Sequence, residues 1–154
     1  MQDGVPVTPA LETEIHPVLG EHAAHLLARA HFAARDLANQ TLAPFGLEIR
    51  HFVALLVIAD EGPMSQQALA GIVSCDRTTM VALMDELESP GYVERRRNPE
   101  DRRAYALEIT SAGRELLSRA SRAIATMERE FFAPLSESEE QELKRLLTLL
   151  IRRG

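Results

Sequence analysis

The chain has a single cysteine in 154 residues, so it cannot carry an intrachain disulfide framework. It has no apolar run near the roughly 18 residues that a membrane-spanning helix needs. Residues 1–13 lack the basic start and apolar centre of a secretory leader. These absences predict a cytoplasmic protein with no membrane partner. Also missing are a Gly-rich phosphate loop, the Gly-x-Ser-x-Gly elbow of a nucleophilic serine, and Cys/His pairs at zinc spacing. No nucleophile, base and orienting group can be assembled, so catalytic residues, metal ligands and cofactors are expected to be absent. The length suits one domain with a real core, and 45% hydrophobic with 26% charged residues is an ordinary globular balance.

What the chain does have is one concentrated patch of positive charge. Residues 95–103, RRRNPEDRR, hold five arginines and two acids, a local charge of +3 on a chain of net −6, which leaves −9 for the rest. Such a chain can meet a polyanion at one place and repel it elsewhere. The patch has hairpin syntax. Tyr92-Val93-Glu94 leads in, Asn98-Pro99-Glu100-Asp101 turns, and residues 104–109 lead out with alternating character.

Two short helices precede it. Ser65 is placed to cap residues 66–73, where Leu69, Ile72 and Val73 fall at i, i+3, i+4. Ser74-Cys75 breaks the pattern. Asp76 can cap a second helix whose Met80, Leu83, Met84 and Leu87 form one apolar face, and Ser89-Pro90-Gly91 ends it. A helix pair alone is a weak signal. A helix pair, a Pro-Gly stop and an arginine-rich hairpin in that order describe a winged helix-turn-helix.

Here the chain resembles the MarR family of bacterial transcription regulators. The resemblance is carried by Leu83-Met84-Asp85-Glu86-Leu87-Glu88, by Gly91-Tyr92-Val93-Glu94-Arg95, by Asn98-Pro99-Glu100-Asp101-Arg102-Arg103, and by Ile109-Thr110 with Gly113 three residues on. It covers nearly the whole chain, with its sharp motifs in residues 65–113. One departure is Ser74, where the family usually has Gly. Serine is expected there only if the backbone avoids a strongly strained positive φ.

The flanks read as helices. Residues 14–45 form one long pattern with a stripe of Leu19, Ala23, Leu26, Leu27, Ala30, Ala34 and Leu37. Residues 49–59 are apolar all round, which predicts a central buried helix. Thr110 can cap a helix to about Phe132, and Ser136 with Glu139 makes a capping box for a last helix bearing Leu143, Leu146, Leu147, Leu150 and Ile151. The terminal helices carry more apolar surface than a DNA-binding core can cover, which predicts a two-fold homodimer. The resemblance implies the same: interleaved terminal helices below two DNA-binding parts.

Projected at about 100° per residue, the second helix of the pair turns Thr78, Ala82, Asp85 and Ser89 outward, flanked by Arg77, Thr79 and Val81. Threonine and alanine methyls suit the thymine methyl group, and Arg77 can reach a guanine edge or a phosphate. Asp85 is either an acceptor for cytosine or the holder of a wing arginine, and the second reading is preferred because an unpaired carboxylate would repel phosphate. Ser65 and Asp76 complete this face at the helix starts, where phosphate is favoured. Arg95, Arg96, Arg97 and Arg102 are phosphate candidates. The resemblance implies that the arginine two after the wing aspartate enters the minor groove, and these positions are Asp101 and Arg103.

Two further features invite function. Four of five histidines, His16, His22, His25 and His31, lie in or beside the first helix and His51 opens the second. They are either solvated or interface residues, or His25, Arg29, Arg50 and His51 line a cleft. The resemblance implies small aromatic or phenolic anions in such a cleft. Cys75 is either a redox sensor or, as preferred, a small residue packed inward at the helix-turn-helix turn.

The resulting expectation is a mainly α protein with a small β-hairpin wing, a winged helix-turn-helix with N- and C-terminal dimerisation helices. Residues 1–13 would be a flexible segment, 14–46 and 110–154 the dimerisation region, and 47–109 the DNA-binding region. Its partners would be a pseudo-palindromic double-stranded operator, a second copy and a small-molecule effector that releases a repressor. The rivals are a winged-helix module that binds protein, and a redox-responsive regulator using Cys75.

Overall fold

Side-chain oxygens start the helices where the sequence places them. Ser65 Oγ accepts the Ala68 N–H, Asp76 accepts those of Thr78 and Thr79, Thr110 accepts that of Gly113, and Ser136 shares a reciprocal box with Glu139. The computed structural model describes residues 14–97 and 105–152. In chain order these form α1 (Pro17–Gly20), α2 (Ala23–Leu42), a 3₁₀ turn (Ala43–Phe45), α3 (Ile49–Glu61), α4 (Gln66–Val73), α5 (Arg77–Glu88), β1 (Val93–Arg97), β2 (Tyr105–Ile109), α6 (Ser111–Phe131) and α7 (Glu137–Ile151). The architecture is the expected one: helices throughout, with one antiparallel hairpin.

The core gathers one face of each central helix. Leu42 of α2, Leu55 and Ile58 of α3, Leu69 of α4, Met80, Met84 and Leu87 of α5, and Leu107 of β2 are fully buried together. The hairpin pairs Val93 with Ile109 through to Arg97 with Tyr105. An isolated bridge between Met64 and Leu107 adds a third chain segment to it, with hydrogen bonds of 3.2 and 2.7 Å. No sequence pattern marks that bridge.

Four expectations are corrected. The single helix over residues 14–45 is broken. After Gly20, a poor helix former, the His22 N–H turns back to Leu19 O and His22 takes an extended conformation before α2 begins. Next, α3 is not buried all round. It is flanked by α2, α4, α5, α6 and β2, yet Val53 and Leu56 on its remaining face stay exposed. Ile72, expected on the inner stripe of α4, is half exposed, because a helix of two turns buries only the side that meets α3 and α5, here Leu69.

The fourth correction is Ser74, which does adopt a left-handed conformation, φ 53° and ψ 47°. The Cys75 N–H reaches Ala70 O at 3.2 Å, a Schellman closure that demands this geometry at the residue after the helix. Gly91 makes the same closure after α5, with Tyr92 N–H on Leu87 O. Glycine is required at 113 for another reason. A Cβ there would lie 2.2 Å from Tyr92 O, so the start of α6 can press directly on the base of the wing.

The terminal helices stay half bare. Among its described residues α7 buries none, and Leu146, Leu150 and Ile151 are 45%, 56% and 78% exposed. Leu19, Leu27 and Phe32 of the N-terminal helices are exposed as well. Among the described residues no single helix is long and apolar enough to cross a membrane.

Candidate nucleic-acid interface

Helix α5 is held from below by Met80, Leu83, Met84 and Leu87, all buried. Its opposite face presents Arg77, Thr78, Val81, Ala82, Asp85 and Ser89 to solvent. Arg77 has no ion-pair partner among the described residues, so its charge is available to a ligand. The hydroxyls at the helix start are already engaged. Thr79 Oγ1 donates to Asp76 Oδ2 at 2.6 Å, and Ser65 Oγ caps α4. That hydroxyl and the two helix-start N–H groups hold the Asp76 carboxyl below its ordinary value, fixing it as an anion turned into its own helix. Asp76 and Ser65 therefore shape the two helix starts, while Thr78 and Ala82 stand free above them.

The hairpin sorts its arginines. Arg95 Nη2 lies 3.0 Å from Glu88 and 3.5 Å from Asp85, both on α5. Asp85 thus faces a wing arginine. Arg96 bonds Glu94 at 2.6 Å and reaches across the strands to Glu108 at 3.3 Å, and the Glu94 hydrogen bond foremost, with Glu108 adding, raises its already high pKa. Arg97 has no ion-pair partner among the described residues. Of three adjacent arginines, two therefore have internal partners, and the third has none among the described residues. The turn at residues 98–101, with Asp101, Arg102 and Arg103, lies outside the described residues.

On the other side of α5 stands an interaction that sequence reasoning missed. Glu86 Oε2 lies 2.7 Å from His51 Nε2 and 3.2 Å from Arg50 Nη2. His51 is 8% exposed, and its Nδ1 accepts the Glu48 N–H at 2.9 Å, taking the N3 role in the capping box of α3. With Nδ1 an acceptor, the ring proton sits on Nε2 and is donated to Glu86. The His51 hydrogen bond, with Arg50 beside it, lowers the Glu86 carboxyl from its ordinary value. These groups border a cleft of about 850 Å³ whose walls include Phe45, Leu47 and Tyr92. His25 and Arg29 are not among its lining residues. The one available signal for Glu86 was an acid beside the outward face of a helix built for DNA.

Among the described residues no group of three or more His, Cys, Asp or Glu is placed to hold a metal. Cys75 is half-buried and packs against the core.

A helix pair whose second member offers an acid-neutralised outer face, followed by an arginine-bearing antiparallel hairpin, defines a winged helix-turn-helix DNA-binding protein. The MarR family model matches residues 47–105. A protein of Thauera aromatica, named for transcriptional regulation of the hcr operon, is 33% identical over 150 residues, covering 97% of this chain and 90% of its own length. CouR bound to a 23-mer DNA duplex superimposes with TM-score 0.82 at 30% identity, over 90% of this chain and 99% of that one. CouR from Rhodococcus jostii RHA1 bound to p-coumaroyl-CoA gives 0.79 at 25% identity, over 88% and 95%. The chain belongs to the MarR family, a family of DNA-binding transcription regulators.

Proposed function

We propose that the protein is a homodimeric repressor that grips a pseudo-palindromic operator and lets go when a small anionic aromatic effector binds. The observation that carries the DNA part is the outer face of α5. Its acid Asp85 is engaged by Arg95, and Glu86 on the flank by Arg50 with His51, which leaves Arg77, Thr78, Val81 and Ala82 to meet base edges and phosphates. Arg97 and Arg102 serve as phosphate contacts, and Arg103, oriented by Asp101, enters the minor groove. Residues 47–109 form the DNA-binding part. Residues 14–46 and 110–154 join two copies, because the exposed Leu146, Leu150, Ile151, Leu27 and Phe32 need a partner surface.

The effector site is the cleft beside Arg50 and His51. Its cation and buried N–H suit a carboxylate or phosphate, its Phe45 and Tyr92 walls suit a ring, and the similar CouR is bound to p-coumaroyl-CoA. A gel shift with the duplex upstream of the protein's own gene tests the reading. A retarded complex that p-coumaroyl-CoA or p-coumarate dissolves is the expected result. No complex at low salt overturns the operator reading, and a complex that both compounds leave intact overturns this effector class.

A further inference from the structure

We propose that Arg50 and His51 form an anion site that the chain fills with its own Glu86, and that an anionic effector works by taking that carboxylate's place. The proposal rests on the effector cleft set out above.

Two donors from α3 converge on one oxygen of Glu86, the His51 Nε2–H at 2.7 Å and the Arg50 guanidinium at 3.2 Å, the latter shared with Glu48 at 3.1 Å. Convergent charged and neutral donors on one oxygen are how proteins hold carboxylates and phosphates. The His51 ring cannot turn away. It is buried, and its other nitrogen is spent on the Glu48 N–H. The occupant is less confined, since the Glu86 side chain is 44% exposed and borders the open cleft.

Replacing one carboxylate by another is nearly balanced in energy. The His51 N–H keeps an acceptor and the Arg50 charge keeps a counter-ion, so the exchange leaves no buried polar group unpaired. An aromatic body attached to the incoming anion adds contact with Phe45 and Tyr92 and tips the balance.

The consequence for DNA follows from which elements the tie joins. Arg50 and His51 belong to α3, and Glu86 belongs to the helix that faces the major groove. Exchange cuts that helix loose from α3. It also returns an unpaired carboxylate to α5 beside Asp85, where it opposes phosphate. The effector therefore favours the untied state and DNA the tied one, and each weakens binding of the other by the same factor.

The test compares wild type with Glu86→Ala and Glu86→Gln, using p-coumarate and p-coumaroyl-CoA as probes. Calorimetry reads ligand affinity, fluorescence anisotropy reads operator affinity, and thermal melts establish that each variant is folded. The isosteric Gln variant carries the test if the Ala variant does not fold. Both variants should bind the probes at least about tenfold tighter than wild type, within the usual range of allosteric coupling. The Ala variant should bind operator more weakly than wild type and be insensitive to added probe, and the Gln variant, whose amide oxygen still accepts the His51 N–H, should fall between the two. Equal probe affinity in all three proteins overturns the exchange while leaving the effector cleft standing. Failure of every protein to bind either probe overturns the cleft itself, and the exchange with it.

Discussion

Arg95 on the first wing strand shares its guanidinium between Asp85, at 3.5 Å, and Glu88, at 3.0 Å, on α5. The contact ties wing to helix, and it pairs Asp85 on the outer face of α5 with a positive charge. In the proposed DNA complex, Arg95 therefore acts through the position of other groups.

This separates Arg95 from Arg97 in one measurement. Exposed ion pairs contribute about 0–1 kcal/mol, so Arg95→Ala should weaken operator binding only a few-fold and leave its salt dependence unchanged. Arg97→Ala should lower the slope of log K against log salt by about 0.9 for each phosphate it no longer neutralises. A reduced slope in the Arg95 variant, read by anisotropy across a salt series, would make Arg95 a phosphate ligand after all.

Arg103→Ala should weaken operator binding by about 1–3 kcal/mol per site while leaving fold and assembly intact. Asp101→Ala should reproduce part of that loss by freeing the guanidinium. If Arg102→Ala proved the damaging substitution and Arg103→Ala bound like wild type, the alignment of the wing would be shifted by one residue.

Ser74 sits at φ 53°, a conformation in which a side chain costs about 1–2 kcal/mol relative to the right-handed region, and glycine recovers part of this. Ser74→Gly should therefore stabilise the protein by up to about 1 kcal/mol, visible as a raised melting temperature. A lowered melting temperature would mean that the hydroxyl or the stiffer chain outweighs the strain.

Sedimentation at micromolar concentration should show dimer only. Leu150→Glu with Ile151→Glu places charges on the most exposed apolar stretch of α7 and should produce monomer with a much weakened hold on paired half-sites. Wild-type protein that sediments as a folded monomer would contradict the two-fold arrangement, as would a footprint on a single asymmetric half-site.

Cys75→Ser should leave any response to peroxide unchanged and cost modest stability, because the thiol is half-buried against the core and serves as a small apolar group. In the proposed dimer the two copies of α5 stand about 34 Å apart for successive major grooves, and each Cys75 lies in the turn just before one of them. A disulfide needs alpha-carbons within about 7 Å. Operator release by peroxide in wild type alone would establish a sensor.

Local physics made much of this protein readable in advance. Ser65, Asp76, Thr110 and Ser136 cap their helices from within three residues, and the spacing of Met80, Leu83, Met84 and Leu87 sets which side of α5 is buried. The break at His22 escaped because the apolar stripe runs on through it, and stripe and helix need not end together. The bare side of α3 escaped because an apolar composition records a need for burial and says nothing of what will supply it. Val53 and Leu56 show that the single chain does not.

The sequence by itself determined the helix starts, the inner faces, the wing and the kind of partner that five clustered arginines invite, since each depends on groups only a few residues apart. Tertiary structure alone decided which charges cancel. Glu86 meets Arg50 and His51 across separations of 36 and 35 residues, and Met64 pairs its backbone with Leu107 of the second wing strand. Such pairs depend on the angle and depth at which one helix or strand packs on another. That geometry is a sum over many side-chain contacts, and no short stretch of the chain encodes it.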